Sequence, residues 1–222
     1  MTYYKWLRPD HSGAYGYGDY RAYLPHDTRP GKWLPVVADP TPCQRGYHVV
    51  TIEHLPKHWV VPGTLYEAEA RGATVDDSDK IACAQIRLTR RVGTLTRELA
   101  VAWAADCAEH VLPIFETAFP DDDRPRKAIE TARSGDAARA AWAARAAWAA
   151  EDAAWAARAA AWATGDAAQA AAEDAAWATG DAWAARDAWA ARATAWAAAR
   201  DAGNAERTWQ GTHLIELLET AS

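Results

Sequence analysis

Ala147-Trp148-Ala149-Ala150-Glu151-Asp152-Ala153-Ala154-Trp155-Ala156-Ala157-Arg158-Ala159-Ala160-Ala161-Trp162-Ala163-Thr164-Gly165-Asp166 governs the first reading of this chain. Alanine is the strongest helix former, so local propensity here favours helix at almost every position. Trp148, Trp155 and Trp162 recur every seven residues, which keeps them within about 40° of one another on a helical wheel. Trp189 and Trp196 repeat the spacing. The surrounding zone, 136–202, uses eight residue types, with 38 alanines, 8 tryptophans and no Leu, Ile, Val, Met, Phe or Tyr. Its Ala-Thr-Gly-Asp steps at 163–166 and 178–181 read as punctuation, glycine closing one helix and aspartate opening the next. With Ser134-Gly135-Asp136 they suggest a repeated unit of about 15 residues. Helices are expected over 136–163, 166–178, 181–201 and 205–219, close-packed through alanine with tryptophan filling the remaining space.

Upstream, 95–133 reads as two amphipathic helices. The first spans Leu95–Phe119, with a kink or break expected at Pro113. Asp121-Asp122-Asp123-Arg124-Pro125 opens the second, because acidic side chains suit a helix N-terminus and proline is tolerated in its first turn. Residues 1–94 hold the tyrosines and most of the prolines. Thr64–Ala70 and Lys80–Leu88 read as strands, the first ending in a turn at Arg71-Gly72, with Asp76-Asp77-Ser78-Asp79 as a polar loop between them. Gly46–Val50 and Tyr3–Leu7 are further strands, a short helical turn lies near Ile52–His58, and 10–45 is mostly loop. The fold class expected is α+β: a small β-rich N-terminal module (1–94) followed by an Ala/Trp-rich antiparallel helical array (95–222).

Charge is uneven. Residues 1–94 carry 12 Lys and Arg against 10 Asp and Glu, and 95–222 carry 12 against 20. An acidic helical half is unsuited to a phosphate backbone, so no nucleic-acid partner is expected. Cys43, Cys83 and Cys107 are odd in number and form no CxxC, which points to a reducing cytoplasm. The start Met1-Thr2-Tyr3-Tyr4-Lys5-Trp6 has no signal-peptide pattern, and no apolar run is long enough to span a membrane.

The stretch Trp103-Ala104-Ala105-Asp106-Cys107-Ala108-Glu109-His110-Val111-Leu112-Pro113-Ile114-Phe115-Glu116, followed by Pro120-Asp121-Asp122-Asp123-Arg124-Pro125-Arg126-Lys127-Ala128-Ile129-Glu130, resembles the immunity-protein family of bacterial toxin systems. The resemblance is specific over these residues and compositional beyond them. It implies an all-helical domain with an Ala-rich tail that binds a partner protein. The family's tail mixes His, Tyr and Val among its alanines, and here Trp stands in their place. Cys43-Gln44-Arg45-Gly46-Tyr47-His48 and Leu65-Tyr66-Glu67-Ala68-Glu69 resemble a module found in bacterial and phage proteins.

Glu67 and Glu69 share one face of their strand, since side chains alternate. A Glu-x-Glu strand after the Gly-aromatic-His strand bearing His48 weakly resembles ADP-ribosyltransferases, which use NAD. In that layout the second glutamate stabilises the charge that develops as nicotinamide leaves. The Ser-Thr-Ser strand of that layout is missing, and Arg8, Arg21 and Arg45 compete as the cofactor arginine. Cys43, His48, His54 and His58 are dense in metal-capable atoms but fit no standard zinc spacing, so no metal is expected. Cys107 falls on an apolar helical face as a core thiol, and His110 sits one turn from Asp106.

The leading expectation is a non-enzymatic, immunity-like or counter-defence protein without a cofactor. Its array would bind a partner protein through Trp148, Trp155, Trp162, Trp189 and Trp196. The alternatives are an NAD-using enzyme with its site at His48, Glu67 and Glu69, and a structural component that self-associates.

Overall fold

The computed structural model describes residues 2–118, 120–134 and 202–221. They form four strands, β1 (Tyr3–Leu7), β2 (Tyr47–Val49), β3 (Gly63–Asp76) and β4 (Ile81–Leu95), and the helices α1 (Arg97–Ala118) and α2 (Arg124–Arg133). A further helix, α3, covers 202–220. Short 3-10 turns lie at Arg21–Tyr23 and Ile52–Lys57.

The chain divides into two compact units, one of Met1–Trp103 with Arg207–Ser222, the other of Ala104–Glu206. The first is built on one antiparallel sheet in the order β1-β3-β4-β2. Its axis is the β3–β4 ribbon, paired from Gly63↔Leu95 to Asp76↔Ile81. β4 is buried on both faces over residues 82–86, as expected of a strand with neighbours on both sides and packing above and below. The pairing slips at Leu65/Tyr66, Glu67/Ala68 and Arg71/Thr74, and such bulges bend a ribbon and increase its twist. The bend brings the sheet's edges together. Tyr4 and Val50 exchange backbone hydrogen bonds of 2.9 and 3.0 Å, joining β1 to the residue after β2. Along β4 beyond β2 runs an extended segment, with Gly31, Leu34 and Val37 donating to Leu88, Ile86 and Ala84.

Inside the curl lies a core of Leu7, Tyr20, Leu34, Val49, Ile86 and Leu88 with their neighbours. Leu214 and Leu218 of α3 are fully buried within the same unit. There Trp103 Nε1 donates to Gln210 O at 3.1 Å, and Trp59 meets the Trp103 ring edge-on at 5.7 Å. Gly211 is forced by this approach, since a Cβ there would collide with the carbonyl of Ile52. In the other unit Arg133 of α2 pairs with Asp106 (2.7 Å) and Glu109 of α1, and Leu112 and Ile129 are buried.

The expected fold class is corrected by these elements. A small β-rich N-terminal module followed by an Ala/Trp-rich antiparallel helical array is not what the described residues form. They form a four-stranded antiparallel sheet with a few helices, mostly toward the N-terminal part of the chain. Alanine's propensity favours local helix but carries no information on whether helices stack. The leucines of α3 are buried in the unit that contains the sheet. The expected helices over 136–163, 166–178 and 181–201 lie outside the described residues.

Two smaller corrections follow. The strand expected to end at Arg71-Gly72 runs on to Asp76, because Gly72 takes φ 78° within a bulge and the turn falls at the polar loop. α1 runs through Pro113 without the break, since loss of one backbone donor does not end a 22-residue helix.

Candidate functional site

A cleft of about 120 Å³ opens in the sheet unit, at the end where β1, β2 and the β3–β4 turn converge. Lys5 arrives from β1, whose alternation puts it between Tyr3 and Leu7 on the face that lines the core. Its Nζ donates to His48 O at 2.7 Å and sits 5.3 Å from the centre of the Tyr20 ring. The residue stays partly exposed, yet its ammonium is enclosed, and burial lowers its pKa from 10.5 to about 8. No carboxylate compensates: the lining contains no Asp or Glu.

One wall is the loop after β1, which carries Tyr15, Tyr17 and Tyr20. Local hydrogen bonds hold its shape. Ser12 N–H and Oγ donate to Asp10 Oδ1 at 2.9 and 2.7 Å, Gly13 N–H donates to Tyr17 O, and Arg8 Nε to Ala14 O. Tyr20 is buried, which raises its pKa, whereas Tyr15 and Tyr17 are 72% and 81% exposed and stand at the mouth.

The opposite wall is made by His48, His58 and Lys80. His48 Nε2 accepts the Cys43 backbone N–H at 3.0 Å, which requires the neutral ring. Burial, and then the neighbouring Lys5, hold its pKa below the usual histidine value. Lys80 is different from Lys5. Its Nζ lies 3.0 Å from Asp79 Oδ1 and 3.2 Å from Asp77 Oδ2, and these hydrogen bonds raise its pKa. His58 Nε2 is 3.2 Å from Asp79 Oδ2, close enough for an ion pair but outside hydrogen-bond geometry.

The residues singled out from the sequence are placed as follows. His48 lines the cleft; Glu67 and Glu69 do not. Both glutamates face arginines across the ribbon, Glu67 Oε1 at 2.7 Å from Arg90 and Glu69 Oε2 at 2.6 Å from Arg87. Arg90 also reaches Glu219 of α3 at 2.7 Å. Arg8, Arg21 and Arg45 donate to the backbone carbonyls of Ala14, Asp10 and Asp39. His54 Nδ1 meets Thr51 Oγ1 at 3.1 Å, away from the lining. No group of three or more His, Cys, Asp or Glu that could hold a metal occurs among the described residues. Burial pushes the Cys107 thiol up to about 12, which keeps it protonated at neutral pH. His110 lies 2.9 Å from Glu206, while Asp106 takes Arg133. Trp148, Trp155, Trp162, Trp189 and Trp196 lie outside the described residues.

Lys5 was not singled out from the sequence. Its one signal is a lone cation inside the aromatic strand Tyr3-Tyr4-Lys5-Trp6-Leu7, at a position whose alternation faces the core. Lys80 opens the stretch read as the strand Lys80–Leu88, directly after the polar loop, where nothing in its spacing marks it as a site residue.

No curated protein matches the chain. No solved structure matches it. Among the described residues no helix is long and apolar enough to cross a membrane. The family model described as Imm-5 like putative immunity protein matches residues 90–217, more than half of the sequence, and includes the stretch from Trp103 to Glu130 on which the resemblance rested. The chain therefore belongs to the Imm-5 like putative immunity protein family.

Proposed function

We propose that this protein acts by binding a partner protein, without catalysis, and that the partner is a bacterial toxin domain which it holds inactive. The family match over 90–217 carries this reading. The acidic balance of the same region supports it: 95–222 carries 20 Asp and Glu against 12 Lys and Arg. That surplus suits a basic protein surface and steers its approach. Trp148, Trp155, Trp162, Trp189 and Trp196 are the contact residues assigned, because tryptophan is enriched where single side chains dominate binding energy.

The test uses the full chain as bait in bacterial lysates, followed by titration of the purified partner. A partner of basic surface that binds saturably, and loses at least tenfold affinity when Trp155 and Trp162 are changed to alanine, is the expected result. A bait that retains no protein saturably in any lysate, or binding indifferent to both tryptophans, would count against the reading.

A further inference from the structure

We propose that the cleft at Lys5 is a binding site for a small aromatic monocarboxylate, with the Lys5 ammonium taking the carboxylate and the tyrosines flanking the ring. The site lies in residues 4–80, outside the matched span 90–217 and so independent of the partner-binding reading.

The charge of the site fixes the class of ligand. An enclosed ammonium with no acid partner is costly, and an anion arriving from solution removes that cost. Among the described residues Lys5 Nζ has one hydrogen-bond acceptor, the His48 carbonyl, which leaves donors for a ligand oxygen. Lys80, the other lysine in the lining, already faces Asp77 and Asp79. The cleft thus offers one uncompensated positive charge, which suits a monoanion better than a phosphate dianion. The walls specify the remainder. Tyr20 lies against Lys5, and Tyr15 and Tyr17 stand exposed at the mouth, where flat rings give an aromatic ligand apolar and edge contacts. At about 120 Å³ the space is far below the ~300–1,000 Å³ of drug-sized sites, so the ligand is a single ring and its acid group.

The probe is benzoate, titrated calorimetrically into the full-length protein, with benzylamine and inorganic phosphate as comparison ligands. Saturable benzoate binding is expected, at least tenfold tighter than either comparison. Lys5→Met should weaken benzoate at least tenfold while keeping the circular dichroism of the wild type, and Lys32→Met, at an exposed lysine outside the cleft lining, should change it by less than threefold. Absence of saturable benzoate binding, equal affinity in Lys5→Met, or benzylamine or phosphate binding as tightly as benzoate would each overturn the site. So would an equal loss in Lys32→Met.

If Lys5→Met does not fold, the wild type decides through pH. Benzoate affinity must fall between pH 7 and 9 as the ammonium loses its proton, and a flat profile overturns the proposal. The groups around Lys5 are Tyr20 on the loop, Cys83 on β4, His48 on β2, and Lys80 and His58 beside Asp77 and Asp79. Of these, His48 titrates below that range, and Tyr20, Cys83 and Lys80 above it.

Discussion

The outer stretch of the β3–β4 ribbon and the cleft at Lys5 handle charge in opposite ways. On the ribbon, two cations face carboxylates: Arg87 meets Glu69, and Arg90 meets both Glu67 and Glu219. In the cleft, a lysine is enclosed with a carbonyl and a ring as its partners. Both sets sit on strands of one sheet, so lying on a strand does not by itself determine whether a charge is compensated. The difference is in what the neighbouring strand offers. Glu67↔Arg90 and Glu69↔Arg87 are direct cross-strand pairs, whereas Lys5 stands opposite Tyr66. An ion pair assembled this way is structural support, and a cation left without one is poised to take an anion from solution.

That contrast can be broken most forcefully at Lys5. Its folded pKa of about 8 lies below the usual 10.5. The unfolded chain therefore binds more protons between those values, and stability rises with pH across them. Relative to Lys5→Met, the wild type should gain up to about 3 kcal/mol from pH 8 to pH 10.5, read by urea unfolding at each pH. A pH-independent difference would mean that the ammonium is not enclosed.

Arg90→Met should act oppositely and more weakly. It removes a two-carboxylate contact on a partly exposed surface, so a loss of about 1 kcal/mol is expected, shrinking in 0.5 M salt. Unfolding midpoints at low and high salt measure it. A loss that salt leaves unchanged would point to lost packing by the arginine stem.

The smallest effect is expected at Glu69→Gln. Glu69 is half-exposed and pairs with Arg87, so the change should cost about 0.5 kcal/mol or less. Trp33 should limit it further, because it lies under both Arg71 and Arg87 and holds the guanidinium groups in place. A loss above 2 kcal/mol would show that the ribbon's charges act as a network rather than as pairs.

Local pattern made much of the sheet unit legible. Lys80–Leu88 reads as a strand by alternation, Gly46–Val50 and Tyr3–Leu7 read as further strands, and Ile52–His58 as a short helical turn; each corresponds to an observed element. What pattern could not convey was closure. The bulges at Leu65, Glu67 and Arg71 and the bridge from Tyr4 to Val50 depend on residues far apart in sequence, and Tyr4 and Val50 both line the cleft. For the same reason Glu67 and Glu69 drew attention as a Glu-x-Glu pair. Their spacing was visible, but the arginines opposite them are set by register. Lys5 shows the converse: one residue among aromatics has no spacing to notice, and its environment exists only once Tyr20 and His48 are brought to it. The Ala/Trp repeat had the strongest periodicity and the least information, because a sequence of one small residue and one large one matches many packings equally well.

The return of α3 to the sheet unit also bears on how the protein is made. Leu214 and Leu218, which that unit buries completely, leave the ribosome more than a hundred residues after Trp103. At synthesis rates of roughly 5–20 residues per second, the nascent sheet waits about 6–23 s for its last helix. During that interval the apolar surface destined for α3 is open to the solvent and to chaperones. A stop codon or a protease cut ahead of residue 207 would therefore impair the front of the molecule, although every strand had already been translated.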